Sequence, residues 1–381
     1  MLTIYWPSSP LKPAGGPPGY LFNLKQELGS REDIVFVVGE EPSSSKRSFG
    51  KAVPKSISNF LLALKYSKLH QLYRRVDKES LKSDAIHFHS TEDLYLARND
   101  LKNYRGKVLL TVHTPCATFR EKIDSLPLFY QRLFSKGLST LENIDEFAFN
   151  RCDYIIFPCK ESEEPYFNSW SKYPEIRDVD KIRYVPSGVV PSVARESRTA
   201  IRKRYSIPDD GFVVSYVGRH NAIKGYDVLK EFASSFLKGS ENAYFLIAGK
   251  LGPLEPLDHP HWIEAGWLND PHSLIAASDV FVLPNHETYF DLVLLEVMSL
   301  GVPIVCSRTG GNKYILGDDS AGIKGFNDID ELSEQIAYIE SASKAEIAEC
   351  RDENIKLFEE KYSCQRFASR MLDTYSSLGV I

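Results

Sequence analysis

Short apolar runs alternate with longer amphipathic stretches along nearly all of this 381-residue chain. No other feature narrows its fold as much. Strands that are apolar on both faces are buried on both faces, and only a parallel sheet flanked by helices provides that environment. In the first half, strands are expected at Ile34–Val38, Ala85–Phe88, Val108–Val112 and Tyr154–Phe157, with helices at Tyr20–Leu28, Ile57–Leu72 and Ser139–Asn150. A strand at Lys181–Val185 runs into Pro186-Ser187-Gly188-Val189-Val190-Pro191, whose prolines and glycine mark a domain boundary.

Beyond that boundary the rhythm restarts. Strands are expected at Phe212–Val217, Ala243–Ala248, Trp262–Ala265, Val280–Leu283 and Pro303–Cys306. Helices are expected at Gly225–Leu237, Pro271–Ala277, Leu292–Leu300 and Ile329–Ile339. The tail from Lys344 to Leu378 reads as helix too long for one crossover, so it is expected to return to the first domain. The division is therefore residues 1–187, residues 188–350 and a C-terminal helical segment, 351–381.

Composition excludes several classes. Apolar residues make up 43% and charged residues 25%, with a net charge of -5, which argues against a dedicated nucleic-acid binder. No apolar run reaches a membrane span, and Met1–Pro7 reads as a first strand rather than a signal peptide. The six cysteines have neither zinc-site nor disulfide spacing, which suits a cytoplasmic chain. Asp178-Val179-Asp180 and Asp328-Ile329-Asp330 have D-x-D spacing but follow no cleft-facing strand, so no metal is expected. Residues 46–82 carry ten Lys or Arg against Asp77 and Glu79. They form either a solvated face or a platform for anionic lipid on the inner face of a membrane, with Phe60, Leu61, Leu64 and Leu69 among the charges.

The chemistry sits in loops after strands. Gly218-Arg219 and Lys224-Gly225 place two cations at the mouth of the second sheet, where they are able to hold a diphosphate. Pro284-Asn285-His286-Glu287-Thr288-Tyr289-Phe290-Asp291 leads into a helix whose first amides form an anion site. Asp291 is the candidate N-cap of that helix. Glu296 lies among Leu292–Leu295, Val297 and Met298, where a carboxylate requires partners such as a ribose diol or a buried salt bridge. Gly15-Gly16 follows the first strand, His113 follows another, and His87 and His89 are candidate acceptor contacts or structural histidines. Ser307–Asn312 is a glycine-rich turn or a donor contact.

Gly218-Arg219…Lys224-Gly225, Trp262–Leu268 and Pro284…Glu296 together resemble the GT4 family of retaining glycosyltransferases. The resemblance implies a GT-B fold, with two Rossmann-like domains facing a deep cleft. It implies that Gly16, Gly218, Arg219, Lys224, Phe290, Asp291, Leu292 and Glu296 bind a nucleotide diphosphate sugar, a UDP-sugar being favoured. It further implies catalytic roles for His113, Arg219, Lys224, Glu287 and Thr288. The family motif E-G-F-G-L-x-x-x-E is altered here. Thr288 stands where its first glutamate belongs, and Tyr289 and Asp291 replace its small residues. The resemblance points to a lipid-linked or oligosaccharide acceptor. The alternatives are an enzyme of the same architecture that uses phosphate or a soluble sugar phosphate, and a non-catalytic nucleotide-sugar binder.

Overall fold

The computed structural model describes residues 1–13, 16–40 and 54–381. Gly15 and the basic residues Lys46, Arg47 and Lys51 lie outside the described residues. The chain forms two compact units. The first comprises Met1–Pro158, Glu163–Pro186 and Ala368–Ile381; the second comprises Cys159–Ser162 and Ser187–Phe367.

The first unit is built on six parallel strands: β1 (Leu2–Trp6), β2 (Ile34–Val38), β3 (Ala85–Phe88), β4 (Lys107–Thr111), β5 (Tyr154–Phe157) and β6 (Ile182–Tyr184). Their spatial order is β2-β1-β3-β4-β5-β6. The order reverses between β1 and β3, the point where open α/β sheets bind ligands at their carboxyl ends. Gly16 follows β1, His89 follows β3 and His113 follows β4, so the order of the strands gathers these residues at one edge.

The second unit has β7 (Phe212–Val217), β8 (Ala243–Ala248), β9 (Trp262–Gly266), β10 (Val280–Leu283), β11 (Ile304–Ser307) and β12 (Ile323–Phe326). All are parallel, in the order β12-β11-β10-β7-β8-β9. This is the doubly wound dinucleotide-fold order, with its switch point between β7 and β10. The helix Tyr226–Gly239 buries Tyr226, Leu229, Phe232, Ala233 and Leu237 at three- and four-residue spacing against Phe245 and Trp262. Each large buried side chain contributes about 1.5–3 kcal/mol.

Several expectations need correction. The helix expected to Leu72 ends at Ser67 and passes into a short turn, Leu69–Gln71. Leu69 is not among the surface charges but buried with Ala63, Leu96, Leu126 and Leu138. The tail forms two helices, Lys344–Leu357 and Cys364–Ser377, separated by a π turn at Phe358–Tyr362. Residue 351 falls inside the first of these, and the chain rejoins the first unit only from Ala368. Strand β12 and the helices Arg198–Arg204 and Gly311–Leu316 carry too weak a pattern to be read from sequence.

Candidate active site

In the second unit, two loops meet at the switch point. The loop after β7 carries Gly218, exposed Arg219 and Lys224. The hydroxyl of buried Tyr216 pins it from below, donating to the carbonyls of Arg219 (3.0 Å) and Lys224 (3.3 Å). Asn221 Oδ1 accepts from Lys224 N at 3.0 Å, closing a turn. Gly225 ends that turn at φ +64°, and a Cβ there would lie 1.6 Å from the carbonyl oxygen of Pro284. Gly310 presses on the same second loop from the other side: at φ +43°, a Cβ would lie 1.8 Å from Thr288 O. Only residues without a side chain let three backbones approach this closely. The loop after β10, Pro284–Asp291, is therefore held between two glycines.

Asp291 is the centre of that loop. Its carboxylate accepts from Lys224 Nζ (2.6 Å), from Thr288 Oγ1 (2.7 Å) and from Asn285 Nδ2. It occupies the N-cap position of the helix Leu292–Ser299, yet its side chain makes no capping hydrogen bond, which corrects the expected role. The carboxylate faces Lys224 instead of the helix amides. Burial works against its ionisation. Lys224 with the hydrogen bonds from Thr288 and Asn285 outweighs that and holds the carboxyl below the usual range. Thr288 is buried, Phe290 is buried and Glu287 is half-buried. Ser307 Oγ donates to Asn285 O at 2.7 Å, so the glycine-rich turn after β11 braces this loop.

Glu296 is not deeply buried; its side chain is 26% exposed and Oε2 lies 3.2 Å from His272 Nε2. The salt-bridge alternative is thus present in the structure beside the ribose reading. His272 was not legible from sequence, since 24 residues separate the partners and no shared motif links them. Contrary to expectation, Asp328 lies just beyond the carboxyl end of a strand, β12, where it caps the helix Ile329–Ser341 by accepting from Glu331 N. Asp178 accepts from Asp180 N in a turn. Among the described residues, no group of three or more His, Cys, Asp or Glu is placed to hold a metal ion.

In the first unit, Gly16 precedes the helix Pro17–Leu28, its carbonyl accepting from Tyr20 N at 3.0 Å. His87 is structural, bonded to Tyr375 Oη (2.8 Å) and Thr111 Oγ1 (2.7 Å). His113 is partly accessible, lies edge-on to Tyr20 (4.7 Å between ring centroids) and contacts His89 Nδ1 through Nε2 at 3.1 Å. Burial pushes the His113 imidazole down to about 3, so it is neutral at physiological pH.

Comparison with known proteins now bears on this geometry. Residues 14–193 match the model described as Glycosyltransferase Family 4, and residues 197–356 match Glycosyl transferases group 1. Together the two matches span most of the chain and place it among the GT4-related glycosyltransferases of the GT-B fold.

This glycosyltransferase is 29% identical over 181 residues to a D-inositol 3-phosphate glycosyltransferase of Acidothermus cellulolyticus, covering 41% of this chain and 40% of that one. It is 26% identical over 299 residues to an Escherichia coli UDP-Gal:alpha-D-GlcNAc-diphosphoundecaprenol alpha-1,3-galactosyltransferase, covering 74% and 72% of the two chains. The first curated relatives are thus matched over only about 40% of their length. The fold is shared with Anabaena HepE, crystallised with UDP and glucose, at a TM-score of 0.65 and 14% identity over 99% of both chains. Sucrose-phosphate synthase from Thermosynechococcus elongatus gives the same TM-score at 16% identity, over 99% of this chain and 98% of that one.

Proposed function

We propose that this glycosyltransferase moves a sugar from a nucleotide diphosphate sugar to a hydroxyl of a soluble, phosphate-bearing acceptor, with retention of anomeric configuration. The observation that carries the donor half is the convergence of Arg219, Lys224 and the amides opening the helix Leu292–Ser299 at the β7/β10 switch point. In this reading the bond between the anomeric carbon and the diphosphate oxygen breaks, and the acceptor oxygen bonds that carbon from the same face. The departing phosphate takes the acceptor proton, while Arg219 and Lys224 offset its growing charge. Gly16, Gly218, Phe290, Asp291, Leu292 and Glu296 hold the donor, with Glu296 toward the ribose.

The sugar end is where this chain departs from the family pattern. A carboxylate is absent at 288 but present at 291, where it accepts from the Thr288 hydroxyl. We assign donor-sugar hydroxyls to the Asp291–Thr288 pair, with Glu287 beside it, and we keep His113 as a residue that meets the transferred sugar. A UDP-sugar is the favoured donor, in keeping with the ligands crystallised with HepE.

A phosphate-bearing acceptor is favoured because D-inositol 3-phosphate glycosyltransferases recur among the relatives. A second reading keeps a lipid-linked acceptor. It has the support of the Escherichia coli relative matched over 74% of this chain, whose name gives a diphosphoundecaprenol-linked sugar as its acceptor. It also has the support of an exposed apolar surface. Ile57, Phe60 and Leu61 lie on the helix Lys55–Ser67, and Leu128, Phe129 and Leu133 on Leu128–Leu133, with Lys55, Lys68, Arg132 and Lys136 also exposed on these helices or beside them. No helix among the described residues is long and apolar enough to cross a membrane, so contact in this reading is peripheral. Labelled UDP-sugars offered with a panel of soluble polyol and sugar phosphates, and separately with polyprenyl-diphosphate sugars in vesicles, separate the two. Donor binding with no transfer or hydrolysis on either panel would instead favour a non-catalytic nucleotide-sugar binder.

A further inference from the structure

The histidines at the carboxyl ends of β3 and β4 form a chain that the proposed reaction does not use in full. Both nitrogens of His87 are taken, by Tyr375 and Thr111. His89 is 2% exposed, and its Nε2 has no hydrogen-bond partner. Its one side-chain hydrogen bond is the 3.1 Å contact from Nδ1 to His113 Nε2. The two rings lie edge to edge and nearly coplanar, with centroids 5.4 Å apart and planes at 21°, and the Tyr20 ring packs against both. Flipping either imidazole would put a carbon in place of a nitrogen and break the 3.1 Å contact.

Burial keeps both imidazoles neutral, so each carries one N–H and one lone pair. The 3.1 Å contact needs a single hydrogen, which leaves two arrangements. If His113 donates from Nε2, His89 accepts at Nδ1 and its own proton must sit on Nε2, as an N–H buried with nothing to receive it. If His89 donates from Nδ1, the buried Nε2 holds only a lone pair, and His113 carries its proton on Nδ1. Buried N–H groups without an acceptor are the rarer defect in native proteins. The second arrangement is therefore favoured.

We infer that His89 is a positioning residue: it fixes His113 as the Nδ1–H tautomer, so that His113 presents a hydrogen-bond donor to an oxygen of the substrate. The inference rests on the reading above that places His113 at the sugar-transfer site. A donor at this position suits a sugar hydroxyl or phosphate oxygen, whereas a bare Nδ1 would accept a proton and suit a different chemistry. The sequence alone left His89 as a candidate acceptor contact or a structural histidine; its burial and its contact with His113 assign it to act through His113.

The test is the tautomer itself, read by long-range 1H–15N correlation on full-length protein labelled with 15N-histidine, with His113→Gln to assign the resonance. The wild type should show a protonated Nδ1 and an unprotonated Nε2 on His113. His89→Asn, whose amide nitrogen can stand near the Nδ1 position, should keep that pattern, and His89→Phe should move the proton to Nε2. A wild-type His113 protonated on Nε2 overturns the inference whether or not the variants fold, as does an unchanged tautomer in folded His89→Phe. In the transfer assay, His89→Phe should lower kcat on the order of tenfold, as loss of a group that orients a functional imidazole does. KM should change by less than about twofold, and His89→Asn should recover most of the rate. Unimpaired transfer by His113→Gln would overturn the site reading and leave the tautomer result standing, so the two failures are distinguishable.

Discussion

Lys224 Nζ lies 2.6 Å from Asp291 Oδ1, joining the loop after β7 to the loop after β10 across the switch point of the second sheet. The pair brings a cation and an anion to the place where a departing diphosphate needs positive charge. Asp291 holds Lys224 in position, and a diphosphate arriving at the helix amides would share that cation. Lys224→Ala should therefore lower kcat about 10²-fold with a smaller change in KM, as removal of one preorganised electrostatic contact does. Steady-state kinetics with a UDP-sugar checks it.

The same pair ties stability to pH. Because the folded carboxyl of Asp291 titrates below its ordinary value, its contribution is present in full above the unfolded pKa of about 4 and is lost as pH falls through the lower, folded value. Asp291→Asn should cost about 2 kcal/mol at neutral pH. That is less than breaking a fully buried pair, because the side chains of Lys224 and Asp291 remain 20% and 17% exposed. Urea unfolding of wild type and variant should show the gap intact from pH 5 to 7 and closing below about pH 4.

Gly225→Ala should be harmful for a reason confined to the backbone. It forces alanine to φ +64° and places a methyl group 1.6 Å from Pro284 O. The left-handed conformation alone costs roughly 1 kcal/mol, and moving the Pro284–Asp291 loop adds to it. A loss of about 3 kcal/mol in chemical denaturation is expected, together with loss of nucleotide binding in calorimetry.

Glu296→Ala should leave the fold intact, since the side chain is partly exposed, and should weaken nucleoside diphosphate binding about tenfold, the equivalent of about 1.4 kcal/mol. His272→Ala tests the competing explanation. If Glu296 serves only the His272 pair, both substitutions will lower stability alike and neither will change nucleotide affinity.

The surface formed by Leu128 and Phe129, each 69% exposed, separates the acceptor readings. A Leu128→Ser, Phe129→Ser double variant should lose whatever affinity the protein has for anionic vesicles in co-sedimentation. It should keep its rate on soluble sugar phosphates. A fall in the soluble rate would place this surface in the catalytic unit's own structure.

How much was legible follows the physics of each element. β3, β5, β7, β8 and β10 were placed residue for residue because apolar strands between helices have few alternatives. β12, Ile-Lys-Gly-Phe, was missed because a lysine and a glycine in four residues erase the pattern. The sequence brought Lys224, Thr288 and Asp291 forward as separate residues of two loops. Thr288 lies only three residues from Asp291, but that Asp291 also collects Lys224 and does not cap its helix depends on packing across 67 residues that no local motif records. The partners of Glu296 and His113, His272 and His89, belong to the same class of information.

The most direct test of the account is the anomeric configuration of a product. Wild-type protein should be incubated with an alpha-linked UDP-sugar and a soluble polyol or sugar phosphate, and the new anomeric proton read by NMR. The account predicts a glycosidic product in the alpha configuration. A beta-linked product would contradict retention, and a UDP-sugar that binds yet is never transferred to any acceptor would contradict the proposed activity.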